Sequence, residues 1–165
     1  SMAAGVAALL NGISNEQLRN SLADFKGVEH RLEKYIKVRG IQFINDSKAT
    51  NVNSVWYALQ TVMDNIVLIM GGKDKGNDYG ILKDLVRRKV KAVVAMGVDN
   101  TPIVEAFGDI VEVYDTDSMD EAVKTAYQIA NEGDVVLLSP ACASFDLFKN
   151  YEDRGKKFKD AVRNL

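Results

Sequence analysis

The feature that most constrains the fold is the regular alternation of short apolar runs with amphipathic segments after residue 45. Four runs are predicted to be strands: Ile66–Met70, Ala92–Met96, Ile110–Val113 and Val135–Leu138. The segments between them carry apolar residues three and four positions apart, which is the spacing of a helix packed on one face. Strands that alternate with helices form a mostly parallel sheet with helices on both faces. The pattern therefore predicts an α/β fold.

The start of the chain follows a different pattern. Residues 1–26 contain two short helical segments, and Ser14 with Gln17 three residues later predicts a capping box for the second one. Two small helices cannot form a core alone, so we expect them to be the tail of a preceding domain, followed by a second domain over residues 27–165. Residues 32–45 predict a hairpin, which would add one antiparallel strand at the edge of the sheet.

Composition excludes several classes of function. The net charge is −2, so the chain has no broad cationic surface for nucleic acid. No apolar run approaches the roughly 20 residues needed to cross a bilayer, and no membrane partner is expected. The single cysteine, Cys142, cannot form an internal disulfide, which fits a reducing, cytoplasmic location.

Ligands of parallel α/β sheets bind beyond the carboxyl ends of the strands, so the loops that follow strands matter most. Loop one, residues 45–51, has the sequence Asn-Asp-Ser-Lys-Ala-Thr-Asn and begins a helix. Asp46 suits a ribose hydroxyl pair or a cation, and Lys48 suits phosphate. Thr50 lies where free N–H groups favour an anion. These residue types are also ordinary helix caps, but a lysine opposes the helix dipole there, which favours an anionic partner for Lys48.

Loop two, residues 71–76, has the sequence Gly-Gly-Lys-Asp-Lys-Gly. Two glycines directly after a strand permit a tight turn and a close backbone approach, and Lys73 and Lys75 add positive charge. The loop is not a Walker phosphate loop, because Asn77 rather than a lysine follows Gly76, and it is not a dinucleotide fingerprint. Glycine turns of this kind are also common without any ligand.

Loop three, residues 139–146, is a run of small residues before the last helix, which is predicted from Phe148 to Val162. Ser144 and Asp146 are predicted to cap that helix, where backbone amides suit a carboxylate. Cys142 is interpreted as a small buried residue rather than a nucleophile, because no helper is evident. His30 is the only histidine. With a single histidine, a Ser-His-Asp triad is not expected, and no metal site is predicted.

Residues 27–31 join the leading helices to the sheet. Arg31 suits bidentate binding of a phosphate, although the segment also suits a solvated hinge. We expect residues 26–32 to act as the hinge of a domain closure.

These segments together resemble the Mur ligases. His30-Arg31, residues 46–51 of loop one, the glycine turn of loop two and residues 139–144 of loop three occur in the order of that family. The match covers essentially the whole chain and is strongest to the members that add D-glutamate to UDP-N-acetylmuramoyl-L-alanine. The resemblance implies a monomeric, cytoplasmic three-domain ligase of peptidoglycan precursor synthesis. One domain binds the UDP-sugar, and a central domain holds ATP and Mg²⁺. A Rossmann-like C-terminal domain binds the amino acid.

By motif position, the resemblance implies two anion sites for D-glutamate. Thr50 and Lys75 would hold one carboxylate, and Ser144, Phe145 and Tyr151 would hold the other. Phe145 and Tyr151 stand where the apolar side chain varies within the family, so the shape of this part of the pocket depends on them.

The resemblance also places three residues at ATP. Arg31 and Lys48 would lie at the phosphates as catalytic groups, and Asp46 would lie at the ribose. The implied chemistry converts the alanyl carboxylate to an acyl phosphate, which the amine of D-glutamate attacks to give an amide, ADP and phosphate. The chain matches only the C-terminal domain and the last helices of the central domain, so it is expected to be inactive alone. The alternative is a stand-alone Rossmann-type module that binds a nucleotide or a dicarboxylate.

Overall fold

The computed structural model describes residues 2–23, 27–62 and 65–165. Within them a single sheet has the strand order β1-β2-β6-β3-β4-β5. The strands are β1 Glu33–Val38, β2 Ile41–Asn45, β3 Ile66–Gly71, β4 Val90–Met96, β5 Glu112–Thr116 and β6 Val135–Ala141. Strand β1 pairs with β2 antiparallel, and every other neighbouring pair is parallel. The prediction of a mostly parallel sheet with one antiparallel edge strand is confirmed.

Helices cover both faces of this sheet, as predicted. The helices are α1 Met2–Leu10, α2 Asn15–Ala23, α3 Val52–Thr61, α4 Lys83–Lys89, α5 Thr101–Phe107, α6 Met119–Ile129 and α7 Tyr151–Arg163. Helices α3, α4 and α5 bury their apolar residues in one core cluster, and α6 and α7 bury theirs in a second cluster across the sheet. Among the helices in the described part of the chain, none is both long and apolar enough to cross a bilayer.

The two leading helices form as predicted, and the capping box predicted for the second one is confirmed. The backbone N–H of Ser14 donates to the side chain of Gln17 at 3.0 Å, and the N–H of Gln17 donates to the Ser14 hydroxyl at 3.2 Å. Large apolar side chains on this segment remain in solvent, including Val6 at 58% exposure and Leu10 at 83%. Residues 24–26 lie outside the described residues, and the assignment of residues 1–26 to a preceding domain stays a prediction.

The predicted position of β5 was wrong by two or three residues. The apolar run Ile110–Val113 was expected to be the strand, whereas β5 spans Glu112–Thr116. The backbone N–H groups of Ile110 and Val111 both donate to the Phe107 carbonyl, at 2.9 and 3.1 Å, in the turn that follows α5. Their side chains pack against the core from this turn, so their apolar character marks burial rather than a strand.

The predicted caps of the last helix were also wrong. Helix α7 begins at Tyr151, and its N-cap is Asn150, whose side chain accepts from the Asp153 N–H at 2.7 Å. Ser144 and Asp146 lie several residues earlier, where the carbonyl of Ser144 accepts from the Phe148 N–H at 2.9 Å in a separate turn.

The direction of the connections places the crevice of the sheet at the end of β6. Strand β6 lies between β2 and β3, and all three are parallel. The loops after β2 and β3 lead to α3 and α4 on one face, whereas the loop after β6 leads to α7 on the other face. Neighbouring loops that leave to opposite faces open a crevice, which is the usual ligand position in such folds. Loops one, two and three are these three loops.

Candidate functional site

Backbone hydrogen bonds hold the three loops against each other. The Ala141 N–H, at the start of loop three's small residues, donates to the Ala49 carbonyl of loop one at 2.9 Å. The Lys73 N–H of loop two donates to the Ala143 carbonyl at 2.9 Å. A Cβ added at Gly72, which has φ +126°, would overlap that same carbonyl oxygen. Loop two therefore needs a glycine there, as the predicted close backbone approach requires.

A buried arginine that sequence reasoning missed braces loop one against loop three. Arg154 of α7 is fully buried, and its guanidinium donates to the Ser47 hydroxyl at 3.1 Å, the Ser47 carbonyl at 2.8 Å and the Cys142 carbonyl at 3.1 Å. Burial lowers the pKa of Arg154 to about 10, so the side chain stays cationic at neutral pH. The available signal was its spacing, because Arg154, Phe158 and Val162 fall on one face of α7, and that face is buried.

The three residues predicted to contact the nucleotide share one cavity. Its volume is about 310 Å³, and its lining residues are Arg31, Leu32, Asp46, Lys48, Ala49, Ser54, Tyr57 and Ala58. Loop one and the first turns of α3 form one wall, and the segment that precedes β1 forms the other. The cavity thus combines two cationic side chains, one carboxyl group and an apolar wall.

Asp46 is held tightly in this cavity. Its carboxyl group is buried, and it accepts from the Leu32 N–H at 3.1 Å and from the Ser139 hydroxyl at 2.8 Å. Burial raises the pKa of Asp46 to about 6, while the two hydrogen bonds and the charge of Arg31 act in the opposite direction. Above this pH the carboxylate is a preorganised hydrogen-bond acceptor at the end of β2.

Lys48 and Tyr151 lie together. The Lys48 Nζ is 5.0 Å from the centre of the Tyr151 ring, and the His30 ring meets the Tyr151 ring edge-on with centroids 6.1 Å apart. The Tyr151 carbonyl also accepts from the Ser47 hydroxyl at 2.7 Å. The structure therefore places Tyr151 beside loop one and the nucleotide residues.

The five residues assigned to D-glutamate lie in loops one, two and three and at the start of α7. Thr50 and Lys75 are exposed, in loops one and two, whereas Ser144 is buried at 2% exposure. Phe145 is 67% exposed and lines a second cavity of about 360 Å³. Lys73, rather than Lys75, lines that cavity with it. The assignment of these five residues stays a prediction.

Cys142 is part of a hydrogen-bonded cluster beneath loop two. Its Sγ is 3.2 Å from the Tyr79 hydroxyl, which in turn donates to the Asp74 carboxylate at 2.6 Å. The other oxygen of Asp74 accepts from the Gly76 and Asn77 N–H groups at 2.6 and 2.9 Å and so shapes the loop. Burial raises the pKa of the Cys142 thiol, which makes it a poor nucleophile at neutral pH. The geometry agrees with a structural interpretation of Cys142.

The segment before β1 is fixed to the sheet domain by charge. Glu29, His30 and Glu33 form the one group of side chains in the described ranges with metal-ligand spacing. The Lys159 ammonium of α7 already contacts both carboxylates, at 2.8 Å for Glu29 and 2.6 Å for Glu33. A cation of the protein itself thus balances these charges, and the residues do not fit a metal ion.

This attachment reduces the number of residues that could act as the expected hinge. His30 is buried, and its carbonyl accepts from the Lys48 N–H at 3.1 Å, so residues 29–31 are attached to loop one and to α7. Gly27 has φ +84°, and apart from its chain neighbours no atom of the described residues lies within 4 Å of a Cβ built on it. Residue 26 lies outside the described part of the chain, and the hinge at residues 26–32 stays a prediction.

The family model and the similar proteins of known name both point to one family. Residues 30–142 match the family model described as Mur ligase, glutamate ligase domain. The chain is 57% identical over 165 residues to the UDP-N-acetylmuramoylalanine--D-glutamate ligase of Christiangramia forsetii, covering 99% of this chain and 37% of that protein. It is 58% identical over 168 residues to the ligase of the same name from Bacteroides thetaiotaomicron, covering 100% of this chain and 38% of that protein.

Solved structures agree on the fold. The UDP-N-acetylmuramate-alanine ligase MurC from Thermotoga maritima superimposes with a TM-score of 0.70 at 18% identity, covering 96% of this chain and 36% of that one. At this identity the likeness concerns the fold alone. The chain spans a little over a third of the length of the relatives that it matches.

Proposed function

This chain belongs to the Mur ligase family, and from that premise we propose that it is the C-terminal domain of an ATP-dependent ligase that adds D-glutamate to UDP-N-acetylmuramoyl-L-alanine. The observation that carries the proposal is the shared cavity of Arg31, Asp46 and Lys48 at the end of β2. Two cationic groups beside a fixed acceptor suit the phosphates and the ribose of a nucleotide. The alternative of a stand-alone module has no observation that favours it over a ligase domain.

In the proposed reaction, the alanyl carboxylate attacks the γ-phosphorus of ATP, and ADP leaves. The amine of D-glutamate then attacks the acyl phosphate carbon, the C–O bond to phosphate breaks, and an amide forms with loss of a proton. Such chemistry depends on positioning and on neutralisation of phosphate charge, which Lys48 and Arg31 provide. Asp46 accepts hydrogen bonds from the ribose hydroxyls in its ionised form.

In the full-length protein Mg²⁺ would offset the charge of the ATP phosphates. The described residues do not fit this ion. Among them, Asp46 is the one carboxyl group that lines the cavity and lies there with the cations Arg31 and Lys48, and Lys159 already pairs with Glu29 and Glu33. We therefore assign Mg²⁺ to residues of the full-length protein outside this chain.

D-Glutamate carries two carboxylates and needs two separated anion sites. We assign Thr50 and Lys75 to one carboxylate and Ser144, Phe145 and Tyr151 to the other. Support comes from the three loops that carry these residues, because backbone bonds join loop three to loop one and to loop two. The assignment brings both substrates to loop one, with Asp46 and Lys48 facing ATP and Thr50 facing D-glutamate.

The remaining assignments concern the whole protein. We assign residues 1–26 to the last helices of the central ATPase domain, whose other parts would cover the exposed Val6 and Leu10 side chains. The protein would act as a monomer in the cytoplasm, where ATP and the UDP-sugar are available. Neither nucleic acid nor membrane is part of the proposed activity.

The test is D-glutamate-dependent formation of ADP from ATP in the presence of UDP-N-acetylmuramoyl-L-alanine. We expect turnover by the full-length protein that carries this chain and no turnover by the 165 residues alone. Turnover by the isolated chain, or ADP formation by the full-length protein that depends on another amino acid, would overturn the proposal.

A further inference from the structure

The proposed nucleotide cavity contains a group that the assigned roles leave unused. Arg31 and Lys48 are assigned to phosphates and Asp46 to ribose, so no residue accounts for the base. The rest of the lining is mostly apolar, and within the described residues Tyr57 is the one aromatic side chain in it. A nucleobase is a flat aromatic ring, and an aromatic side chain is the partner on which such rings stack.

The position of Tyr57 on α3 is unusual for a large side chain. The helix buries Val52, Val55, Ala58 and Leu59 on its core face, whereas Tyr57 is 65% exposed. Single exposed aromatic residues are common and need no explanation by themselves. Here, however, the exposed ring borders a cavity that also presents two cations and a carboxyl group.

The Tyr57 ring also contacts a second aromatic ring. Its neighbour Trp56 meets it edge-on, with ring centroids 5.0 Å apart and an interplanar angle of 87°. Trp56 is half-buried and packs against the core cluster under α3. A ring that is oriented before the ligand arrives loses less conformational freedom on binding than a mobile ring does.

We propose that Tyr57 is the base-binding residue of this cavity and that its exposed face stacks on the purine of ATP. The inference rests on the proposed function, since it takes the cavity to be the nucleotide site. Stacking does not read the edges of a base, so Tyr57 contributes affinity for a purine nucleotide rather than discrimination between purines. The hydroxyl group is not needed for this role.

The experiment compares substitutions in the full-length protein. We expect Tyr57→Ala to raise the KM for ATP about tenfold, within the range for loss of one base–aromatic stack, and to leave the KM for D-glutamate unchanged. Tyr57→Phe should keep the KM for ATP within about twofold, because the ring remains. An unchanged kcat at saturating ATP checks that the fold is intact in each variant.

Two further variants distinguish a wrong role for Tyr57 from a wrong proposed function. Ile81→Ala removes another exposed apolar side chain, at 48% exposure and outside the cavity, and should leave both KM values unchanged. Lys48→Ala should raise the KM for ATP. If Lys48→Ala does so and Tyr57→Ala does not, the role of Tyr57 is wrong and the proposed function stands. If Lys48→Ala leaves both kcat and the KM for ATP unchanged, the cavity is not the nucleotide site and the proposed function itself fails.

Discussion

The guanidinium of Arg154 donates two hydrogen bonds to Ser47, one to its hydroxyl at 3.1 Å and one to its carbonyl at 2.8 Å. Ser47 lies between Asp46 and Lys48, so this contact fixes the backbone of loop one at the point where both residues leave it. The same guanidinium donates to the Cys142 carbonyl of loop three at 3.1 Å. The buried guanidinium of Arg154, on α7, thus fixes the position of loop one relative to loop three.

Replacement of Arg154 by methionine should destabilise the fold. The substitution keeps much of the volume but leaves the carbonyls of Ser47 and Cys142 without their buried donors, so we expect a loss of about 2–4 kcal/mol in the free energy of unfolding. Urea unfolding of this chain measures it. Arg163→Met is the matched control, because the Arg163 side chain is 62% exposed and contacts the Asp160 carboxylate at 3.2 Å and the Tyr35 ring, 5.5 Å from its centre, rather than buried carbonyls. Equal losses for the two variants would contradict the bracing role.

Asp46→Asn should stabilise the fold above neutral pH while it impairs use of ATP. The folded protein raises the pKa of Asp46 from 3.8 to about 6, mainly by burial, so the folded state binds the proton more tightly and stability falls as pH rises through this interval. Asparagine removes the buried charge, and we expect the free energy of unfolding to rise by up to about 3 kcal/mol near pH 8, with little change near pH 4.

The two effects of Asp46→Asn are measured separately. Urea unfolding at both pH values gives stability, and the KM for ATP of the full-length variant gives the loss of the ribose acceptor. A stability difference that does not depend on pH would show that the Asp46 carboxyl is not strained by burial. Unchanged KM for ATP would show that this carboxyl does not serve the nucleotide.

Gly155→Ala should be destabilising, against the usual preference of a helix interior for alanine. Alanine favours a helix over glycine by about 1 kcal/mol. A Cβ at Gly155, however, would overlap Nδ1 of the His30 ring and lie 3.1 Å from Nδ2 of Asn45, so we expect a net loss of about 1–3 kcal/mol. A double-mutant cycle with His30→Ala tests the cause. The two losses should be strongly non-additive, because removal of the ring frees the space; simple additivity would contradict the clash.

The sequence predicted most of the fold because the signals for buried parallel strands are local. Strand β3 was predicted to begin at Ile66, as it does, and every residue of β3 is buried. Strand β5 lies at the edge of the sheet and has only one buried residue, so the neighbouring Ile110 and Val111 gave a stronger apolar signal than the strand itself. The start of α7 was misplaced for a related reason, since Phe148 is buried by a turn before the helix begins.

The site was predicted in part. Arg31, Asp46 and Lys48 were identified from their order along the chain, and the structure brings them to one cavity. Arg154 was missed because its partners are backbone carbonyls and a hydroxyl in other loops, and no local pattern reveals such partners. The position of Tyr151 beside Lys48, and of Lys73 beside Phe145, likewise depends on how distant loops pack.

The central claim is that loop one serves two substrates, and adjacent substitutions within it test that claim most directly. In the full-length protein, Thr50→Ala should raise the KM for D-glutamate about tenfold or more and leave the KM for ATP unchanged, because the Thr50 hydroxyl is assigned to a substrate carboxylate. Asp46→Asn should raise the KM for ATP and leave the KM for D-glutamate unchanged. Steady-state ADP formation with one substrate varied at a time gives both constants. A rise in the same constant for both variants, or no change in either constant, would contradict the division of loop one between ATP and D-glutamate.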